Sequence, residues 1–366
     1  MTVQPDGSPP PAGAPAPTPP AAAPSPAGDA RLEALEAWAA ATLGTRDFAL
    51  APASADASFR RYFRLSLAGA VPTAGGRRTV IAMDAPPAKE NSAPFVAIAA
   101  LLGAAGVHAP EILASDLAQG FLLLTDLGDR TYLAALDADT APRLYSDAID
   151  ALVAWQRASR ADVLPPYDEA LLRRELDLFP DWYLARHLGV TLAPAQAKTL
   201  ADAFTLVVAN NLAQPRVFVH RDYHSRNLMV TAPNPGVLDF QDAVFGPITY
   251  DLVSLLRDAY VEWDEARQID WAARYWERAR DAGLPVAADF GEFWRDFEWM
   301  GVQRQLKVLG IFARLCHRDG KTGYVDDMPR VLRYLRGACS RYRALGPLAK
   351  LLDEVDGRTP AIGYTF

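Results

Sequence analysis

Three residues in one short stretch have the types and the spacing that phosphoryl transfer requires. Asp222 precedes Asn227 by five positions, and Asp239 follows after a predicted hairpin that turns at residues 232–235. A carboxylate at Asp222 could accept or aim the proton of an attacking hydroxyl, because this reaction depends on positioning more than on strong base catalysis. Asn227 and Asp239 carry hard oxygen ligands that suit Mg²⁺ bridging nucleotide phosphates. The stretch predicts Asp222 as catalytic base and Asn227 and Asp239 as metal ligands; the alternative is a polar hairpin in which they only form turns.

Other polar residues around this stretch are predicted to support it. His220 stands two positions before Asp222, where we expect it to brace the loop backbone without touching the substrate. His224 either lines the acceptor pocket or packs the loop, and the sequence does not choose between these roles. Asp251 lies near a predicted helix start, where we expect its carboxylate to cap backbone N–H groups.

The elements that must position these residues fall into two parts. Residues 31–43 and 93–105 have helical apolar spacing, and four short apolar segments between residues 58 and 124 read as strands. Beyond residue 130 the pattern is mainly helical, except for short strands around the segment that carries Asp222 and Asn227, residues 220–227, which we call the candidate loop. We predict an α+β, two-lobed fold with a small antiparallel sheet at residues 29–127 and a larger, mainly helical catalytic lobe at residues 128–366. Residues 1–28 are rich in Pro and Ala and predict a disordered tail.

Composition limits the partners. The net charge of −7 and the lack of a dense basic run argue against nucleic-acid binding. No segment approaches the ~20 apolar residues needed to cross a bilayer, and the N-terminus lacks the pattern of a secretory signal. We therefore expect a cytoplasmic monomer that acts on small molecules, with no nucleic acid or membrane partner.

The order of residues in the candidate loop carries a family resemblance. Residues 221–227, Arg-Asp-Tyr-His-Ser-Arg-Asn, are followed by Asp-Phe-Gln-Asp at 239–242 and by Gly-Pro-Ile-Thr-Tyr-Asp-Leu at 246–252. Together they resemble the aminoglycoside phosphotransferase and choline kinase superfamily. The resemblance implies a protein-kinase-like fold, the cofactors ATP and Mg²⁺, and a small-molecule acceptor.

Further stretches resemble one branch of that superfamily, the bacterial anomeric kinases for N-acetylmuramate and N-acetylglucosamine. They lie at residues 57–64, 83–87, 90–91, 239–243, 309–315 and 318–321. This resemblance implies transfer of phosphate from ATP to the C1 hydroxyl of the free amino sugar in peptidoglycan recycling. Two alternatives stay open: an antibiotic phosphotransferase, whose acceptor cleft would be lined with carboxylates, and a non-catalytic nucleotide-binding module.

The phosphate end of the nucleotide site departs from the kinase pattern. The segment at residues 53–64 holds no glycine, so Ser54, Asp56 and Ser58 are expected to supply the tight turns and exposed N–H groups, and Arg60 or Arg61 to meet phosphate. The alternative is an ordinary turn between helix and strand. The strand at residues 79–83 lacks the usual Lys. Either Lys89 reaches back, or Arg64 serves, or the metal supplies most of the neutralisation.

Other stretches of the sequence predict the residues that contact the nucleotide base and the acceptor sugar. Residues 122–127 resemble the strand and hinge between kinase lobes, so we expect Thr125 and Leu127 to contact the nucleotide base. The resemblance does not separate ATP from another purine nucleotide. For the sugar, Glu175, Asp177 and His224 offer polar partners. Two basic residues on a predicted helix are read as solvated charges in preference to partners of a substrate carboxylate: Arg304 and Lys307.

Overall fold

The structure is a computed structural model that describes residues 29–54, 59–69 and 71–357. The predicted tail at residues 1–28 and the predicted phosphate-loop residues Asp56 and Ser58 lie outside the described residues.

An antiparallel five-stranded sheet forms the first part of the described chain. Its strands are β1 (Phe48–Ser54), β2 (Arg61–Leu67), β3 (Thr79–Asp84), β4 (Ile112–Asp116) and β5 (Phe121–Thr125). They lie side by side in the order β1-β2-β3-β5-β4, so that β3 and β5 are central. A helix, α1 (Ala30–Leu43), precedes the sheet, and α2 (Ala93–Ala104) crosses from β3 to β4. The Asp29 side chain accepts a hydrogen bond from the Leu32 N–H at 3.1 Å and so begins α1.

The two faces of this sheet belong to two hydrophobic cores. Alternate side chains of β5 point to opposite faces. Phe121 and Leu123 pack in a small core with α1, whereas Leu122 and Leu124 pack with α2 in the large core of the remaining chain. The inner face of the sheet is therefore continuous with the core of the helical part.

The second part is mainly helical. Its helices are α3 (Tyr132–Ala135), α4 (Ala141–Arg157), α5 (Glu169–Leu176), a π-helix (Phe179–His187), α6 (Pro194–Ala213), α7 (Tyr250–Leu256), α8 (Glu265–Asp281), α9 (Phe290–Asp319), α10 (Met328–Arg341) and α11 (Gly346–Val355), with short 3₁₀ turns at Pro72–Ala74, Thr322–Asp327 and Arg343–Leu345. No helix in the described part of the chain has the length and apolar composition needed to cross a membrane.

Two short antiparallel strand pairs interrupt the helices and carry the candidate loop. The first joins β6 (Arg216–Val219) with β9 (Val244–Pro247), and the second is the hairpin of β7 (Leu228–Met229) and β8 (Gly236–Val237). Residues 220–227 connect the two strand pairs at one end, and residues 238–243 return at the same end. This arrangement brings the polar residues of both segments together.

The predicted α+β two-lobed fold class is confirmed, and several elements differ from the sequence-based ones. The apolar spacing of residues 168–187 predicts one long helix, and this prediction is wrong, because the stretch divides into α5 and the π-helix, with Pro180 in the first turn of the latter. Strands β1 and β9 and helix α11 were not predicted. The boundary between lobes at residues 127 and 128 stays a prediction; it falls between the end of β5 and the start of α3.

Candidate active site

A buried carboxylate holds the backbone of the candidate loop. Asp251 accepts hydrogen bonds from the N–H groups of His220 and Arg221, at 2.6 and 2.9 Å. Burial raises the pKa of Asp251 to about 7, and the two N–H donors oppose that effect by stabilising the carboxylate. The expected helix cap at Asp251 is therefore wrong, because the side chain binds the loop that lies 30 residues earlier in the chain.

His220 braces the loop from inside. The N–H of Asp222 donates to His220 Nδ1 at 3.2 Å, and His220 Nε2 donates to the Leu238 carbonyl at 3.0 Å. These bonds require a neutral ring with its proton on Nε2. Burial lowers the pKa of His220 to about 4, which agrees with that neutral form. The ring thus ties the segment that carries Asp222 to the segment that carries Asp239.

Two residues of these segments have left-handed backbone. Arg221 has φ of 79° and Asp239 has φ of 62°, a region that costs a residue with a Cβ roughly 1–3 kcal/mol. The hydrogen bonds of Asp251 and His220 hold the loop in this conformation. Strain of this kind at adjoining polar residues favours a functional role for the loop.

Asp222 is a carboxylate among cations. Burial alone would raise the pKa of Asp222, but nearby positive charge, that of Lys307 above all, holds it at about 2. His224, Arg304 and Arg221 act in the same direction. Asp222 is therefore ionised at neutral pH and can accept a hydrogen bond from a substrate hydroxyl.

The predicted metal ligands lie next to each other. Asn227 Nδ2 donates to the Asp222 carbonyl at 2.9 Å and to Asp239 Oδ2 at 3.3 Å, while Gln241 Nε2 donates to Asp239 Oδ1 at 2.8 Å. Asn227 and Asp239 both line the larger of two cavities at this place. An amide oxygen and a carboxylate at the edge of such a cavity fit a hard divalent cation that keeps several waters.

The larger cavity has a volume of about 360 Å³ and lies between the sheet and the helical part. It is lined on one side by β2, β3 and β5 and on the other by the candidate loop and Phe240. The predicted hinge residues Thr125 and Leu127 both line it, and the Thr125 hydroxyl accepts a hydrogen bond from the Glu111 N–H at 2.9 Å. Its volume and mixed lining suit a nucleotide.

The basic residues near this cavity differ in whether their charge is already paired within the protein. Arg64 lines the cavity but is bound by Asp126 through two hydrogen bonds of 2.7 and 2.9 Å. Lys89 is exposed, and its ammonium lies 4.5 Å from the Phe59 ring centre, away from the cavity lining. Arg60 pairs with Glu90 at 3.2 Å.

Arg60 is close enough to Asp239 to respond to its charge. Burial lowers the pKa of Arg60, but Tyr62, Glu90 and Asp239 produce a net rise. Ser54 ends β1, and the adjoining Ala53 lines the larger cavity. Of the predicted basic contacts, Arg60 is thus the one whose charge is coupled to the candidate metal site.

A second, smaller cavity of about 90 Å³ lies beside Asp222. Asp222 and His224 line it from the loop, and α9, the segment after α7 and Val331 of α10 supply the remaining walls. Its lining residues are Asp222, His224, Arg257, Ala259, Tyr260, Arg304, Gln305, Val308, Ile311, Phe312 and Val331. Asp222 thus faces this cavity while Asn227, five residues later, faces the larger one.

The two acidic residues predicted to bind sugar do not line this second cavity. Glu175 is buried and binds Arg221, the Tyr167 hydroxyl and Lys307, the last at 3.0 Å. Asp177 is exposed at the end of α5. The structure brings only His224 of the three predicted acceptor residues to the cavity, because the carboxylate of Glu175 is used inside the core.

The expectation that Arg304 and Lys307 are solvated helix charges is wrong. Both are buried in the middle of α9, with 7% and 5% of their surfaces exposed. Arg304 Nη1 donates to the Arg221 carbonyl at 3.0 Å, and Lys307 donates to the Tyr250 hydroxyl at 2.9 Å. The sequence does not single out three further residues of this cavity: Arg257 and Tyr260 lie just after α7, and the only signal at Gln305 is a polar side chain among the apolar residues of α9.

Comparison with known proteins identifies a phosphotransferase family and relatives named as sugar kinases. Residues 49–290 match the model of the phosphotransferase enzyme family. The chain is 55% identical to the N-acetylmuramate/N-acetylglucosamine kinase of Pseudomonas aeruginosa, over 84% of this chain and 88% of the relative. It is 48% identical to the kinase of the same name from Neisseria meningitidis, over 91% of this chain and 98% of the relative.

Solved structures share the fold at low identity. A choline/ethanolamine kinase family protein from Mesorhizobium loti superposes with a TM-score of 0.58 at 16% identity, over 87% of this chain and 99% of that one. An ADP-bound aminoglycoside phosphotransferase superposes with a TM-score of 0.52 at 12% identity, over 82% and 97%. These likenesses concern the fold alone.

Proposed function

The chain belongs to the phosphotransferase enzyme family, and from this premise we propose that it transfers the γ-phosphate of ATP to the anomeric hydroxyl of N-acetylmuramate and N-acetylglucosamine. The proposal is supported by relatives of that name at 48–55% identity. The observation that carries it is the position of Asp222, which lines the smaller cavity while the pair Asn227 and Asp239 lines the larger one. An acceptor in the smaller cavity and a nucleotide in the larger one would meet at this loop.

In this proposal Asp222 orients the acceptor hydroxyl and takes its proton late in the transfer. A carboxylate with a pKa of about 2 is a weak base, so it suits a loose transition state in which the hydroxyl loses its proton after most of the bond to the leaving oxygen has broken. The anomeric hydroxyl is the most acidic hydroxyl of a free sugar, which makes it the one that depends least on base strength.

The nucleotide would be held by the residues around the larger cavity. Thr125 and Leu127 would contact the base, and Ser54 and Arg60 would lie toward the phosphates. Asn227 and Asp239 would hold Mg²⁺, which when bound neutralises phosphate charge. We assign to Arg60 the neutralising role of the missing strand lysine, because its charge is coupled to that of Asp239.

The charge of the smaller cavity argues against an antibiotic acceptor. Of the residues that line it, Asp222 is the one carboxylate, and Arg257 and Arg304 are cations. A polycationic aminoglycoside would meet repulsion there, whereas a neutral or anionic sugar would not. Arg304 also offers a partner for the carboxylate that distinguishes N-acetylmuramate from N-acetylglucosamine.

An ADP-release assay tests the proposal directly. The protein is incubated with Mg-ATP and N-acetylmuramate, N-acetylglucosamine, an aminoglycoside or choline, and phosphorus NMR identifies the phosphorylated position. We expect turnover of the two amino sugars with phosphate on C1. Turnover of the aminoglycoside or choline alone would contradict the acceptor class, and no turnover with any of the four would favour a nucleotide-binding module without catalysis.

A further inference from the structure

We infer that the smaller cavity beside Asp222 receives the acetamido group at C2 of the sugar, and that Gln305 is the residue that recognises it. The inference rests on the proposed function and adds the part of the substrate that this cavity selects. Four observations carry it: unpartnered buried polar atoms, their convergence, the chemistry of an acetamide, and the position of Asp222.

The first observation is that residues lining this cavity carry buried polar atoms without partners. Gln305 is 3% exposed, and within the described part of the chain neither Oε1 nor Nε2 of its amide has a hydrogen-bond partner. Arg257 is 8% exposed, and its Nη1 likewise has no hydrogen-bond partner there. The same is true of Nδ1 of His224. Buried polar groups that lack partners cost free energy, so such a group of atoms around one cavity points to a polar ligand.

The second observation is that these groups converge and are held in place. A Cβ built on Gly301 would lie 3.2 Å from Arg257 Nη1 and 3.3 Å from Gln305 Nε2, so both side chains approach the same point on α9. Arg257 is fixed from behind by Glu298, which accepts from its Nη2 at 3.0 Å. A side chain at position 301 would compete for this space, and glycine leaves it to the two polar groups.

The third observation is that the chemistry of these walls is complementary to an acetamide. An acetamido group has one N–H donor, one carbonyl acceptor and one methyl group. Gln305 Oε1 can accept from the N–H, while Gln305 Nε2 or Arg257 Nη1 can donate to the carbonyl. The methyl group then faces apolar side chains of α9, Val308 and Phe312, which line the same cavity. A cavity of about 90 Å³ has room for such a group.

The fourth observation is that Asp222 lines this cavity too. C1 and C2 of the sugar are bonded, so an acetamido group seated against Gln305 leaves the C1 hydroxyl at the mouth, next to the carboxylate. The cavity thereby fixes both the identity of the sugar and the hydroxyl that reacts. A hydroxyl at C2 offers one oxygen in place of a separate N–H and carbonyl, so it would bond the amide of Gln305 less completely, and a site built for the longer group discriminates against it.

The test is the variant Gln305→Met, assayed with N-acetylglucosamine and with glucose at saturating Mg-ATP. Methionine matches glutamine in length and removes the amide. We expect kcat/KM for N-acetylglucosamine to fall about 10- to 100-fold while the KM for ATP and the slow rate with glucose stay unchanged. The preference for the acetamido sugar would then be largely lost. The thermal midpoint of the variant should equal or exceed that of wild type, because the substitution removes unpaired buried polar atoms.

Gln303→Met is the matched control. Gln303 lies two residues earlier on α9, is fully buried, and donates to the Leu172 carbonyl at 2.9 Å away from the cavity. This variant should lower the thermal midpoint and leave the ratio of kcat/KM for the two sugars unchanged. If Gln305→Met keeps the wild-type ratio, the inference is wrong.

The unaltered protein provides a second measurement that does not depend on folding of a variant. Wild type should prefer N-acetylglucosamine to glucose by at least about 10-fold in kcat/KM, since one group makes both hydrogen bonds and the other does not. Equal use of the two sugars would overturn the inference while leaving the proposed kinase activity in place. Failure to phosphorylate either acetamido sugar would instead overturn the proposed function, and the inference with it.

Discussion

At the residue scale, the site depends on a carboxylate that stays ionised because cations surround it. Replacing Asp222 with Asn removes the charge and the proton acceptor while keeping the shape. We expect kcat to fall about 100- to 10,000-fold, the range of general base catalysis, with little change in nucleotide affinity. The measurement is steady-state turnover together with calorimetric titration of ADP.

Asp202→Asn is the control for that variant. Asp202 is an exposed residue on α6 that pairs with Lys198 at 2.7 Å and lies outside the lining of both cavities. It should keep wild-type turnover, because a surface ion pair contributes little. Full activity of Asp222→Asn would remove Asp222 from the mechanism, and loss of ADP binding as well would assign it a nucleotide-binding role.

Lys307 is predicted to set the acid limit of the reaction. Lys307 is the strongest of the charges that hold the pKa of Asp222 at about 2 against the effect of burial. In Lys307→Met the pKa of Asp222 rises, and activity is lost as pH falls through that higher value because the ionised form is required. We expect the acid limb of kcat/KM to move upward by about one pH unit or more.

The pH profile is measured with the folded fraction followed by circular dichroism at each pH. Lys198→Met, which removes an exposed ammonium, should give the wild-type profile. Coinciding acid limbs for Lys307→Met and wild type would show that this lysine does not control Asp222.

The sequence supports the catalytic residues better than the acceptor residues, for a physical reason. Asp222, Asn227 and Asp239 lie in the two segments that flank the β7–β8 hairpin, so local chain geometry is enough to bring them together. Gln305 and Arg304 reach the site from a helix some 80 residues further on. Helical periodicity tells which residues share a face, but not which loop that face meets, and so a buried polar face was read as a solvated one.

At the element scale, α9 lines the smaller cavity and packs closely against the start of the π-helix. A Cβ built on Gly310 would lie 2.5 Å from the backbone of Leu178. The backbone cannot move aside as a flexible side chain can. We therefore expect Gly310→Ala to lower the free energy of unfolding by about 1–3 kcal/mol and to raise the KM for the sugar more than that for ATP, since Gln305 lies on the same helix.

Gly337→Ala offers a direct comparison. Gly337 is an exposed glycine inside α10, and a Cβ there meets nothing within 4 Å. Alanine should stabilise this helix by up to about 1 kcal/mol, because it restricts the unfolded chain and favours helix. Thermal and urea unfolding of both variants gives the comparison, and equal stability of the two would contradict the close packing at Gly310.

The elements missed by sequence analysis share a cause. Strand β1 reads Phe-Ala-Leu-Ala-Pro-Ala-Ser, which is poor in β-branched residues and contains a Pro, so its pairing with β2 comes from the sheet and not from propensity. Strand β9 includes Gly246 and Pro247 and exists because β6 pairs with it. Both strands form because of their pairing with a partner strand, and that pairing cannot be recognised from the sequence of the strand itself.

At the scale of the whole molecule, the larger cavity lies where the sheet meets the helical part. Phe240, the residue after Asp239, packs on Phe95 of α2 with ring centres 4.7 Å apart, so the metal-binding segment is joined to the N-terminal sheet layer. Both rings belong to the large core and line this cavity. A ligand in the cavity therefore contacts both parts at once and should stabilise the molecule as a unit.

Metal removal tests that coupling. A ligand that binds only the folded state at 100 times its Kd adds about 2.7 kcal/mol, which in a protein of this size corresponds to a rise in Tm of roughly 3–4 °C. We expect Mg-ATP to produce such a rise, and EDTA to remove most of it because Asp239 then faces phosphate without a cation between them. Asp222→Asn should keep the rise, since Asp222 faces the acceptor cavity, whereas Asp239→Asn should lose it. An equal rise with ATP in EDTA would argue that phosphate is held by Arg60 and its neighbours alone and that Asn227 and Asp239 do not bind the metal.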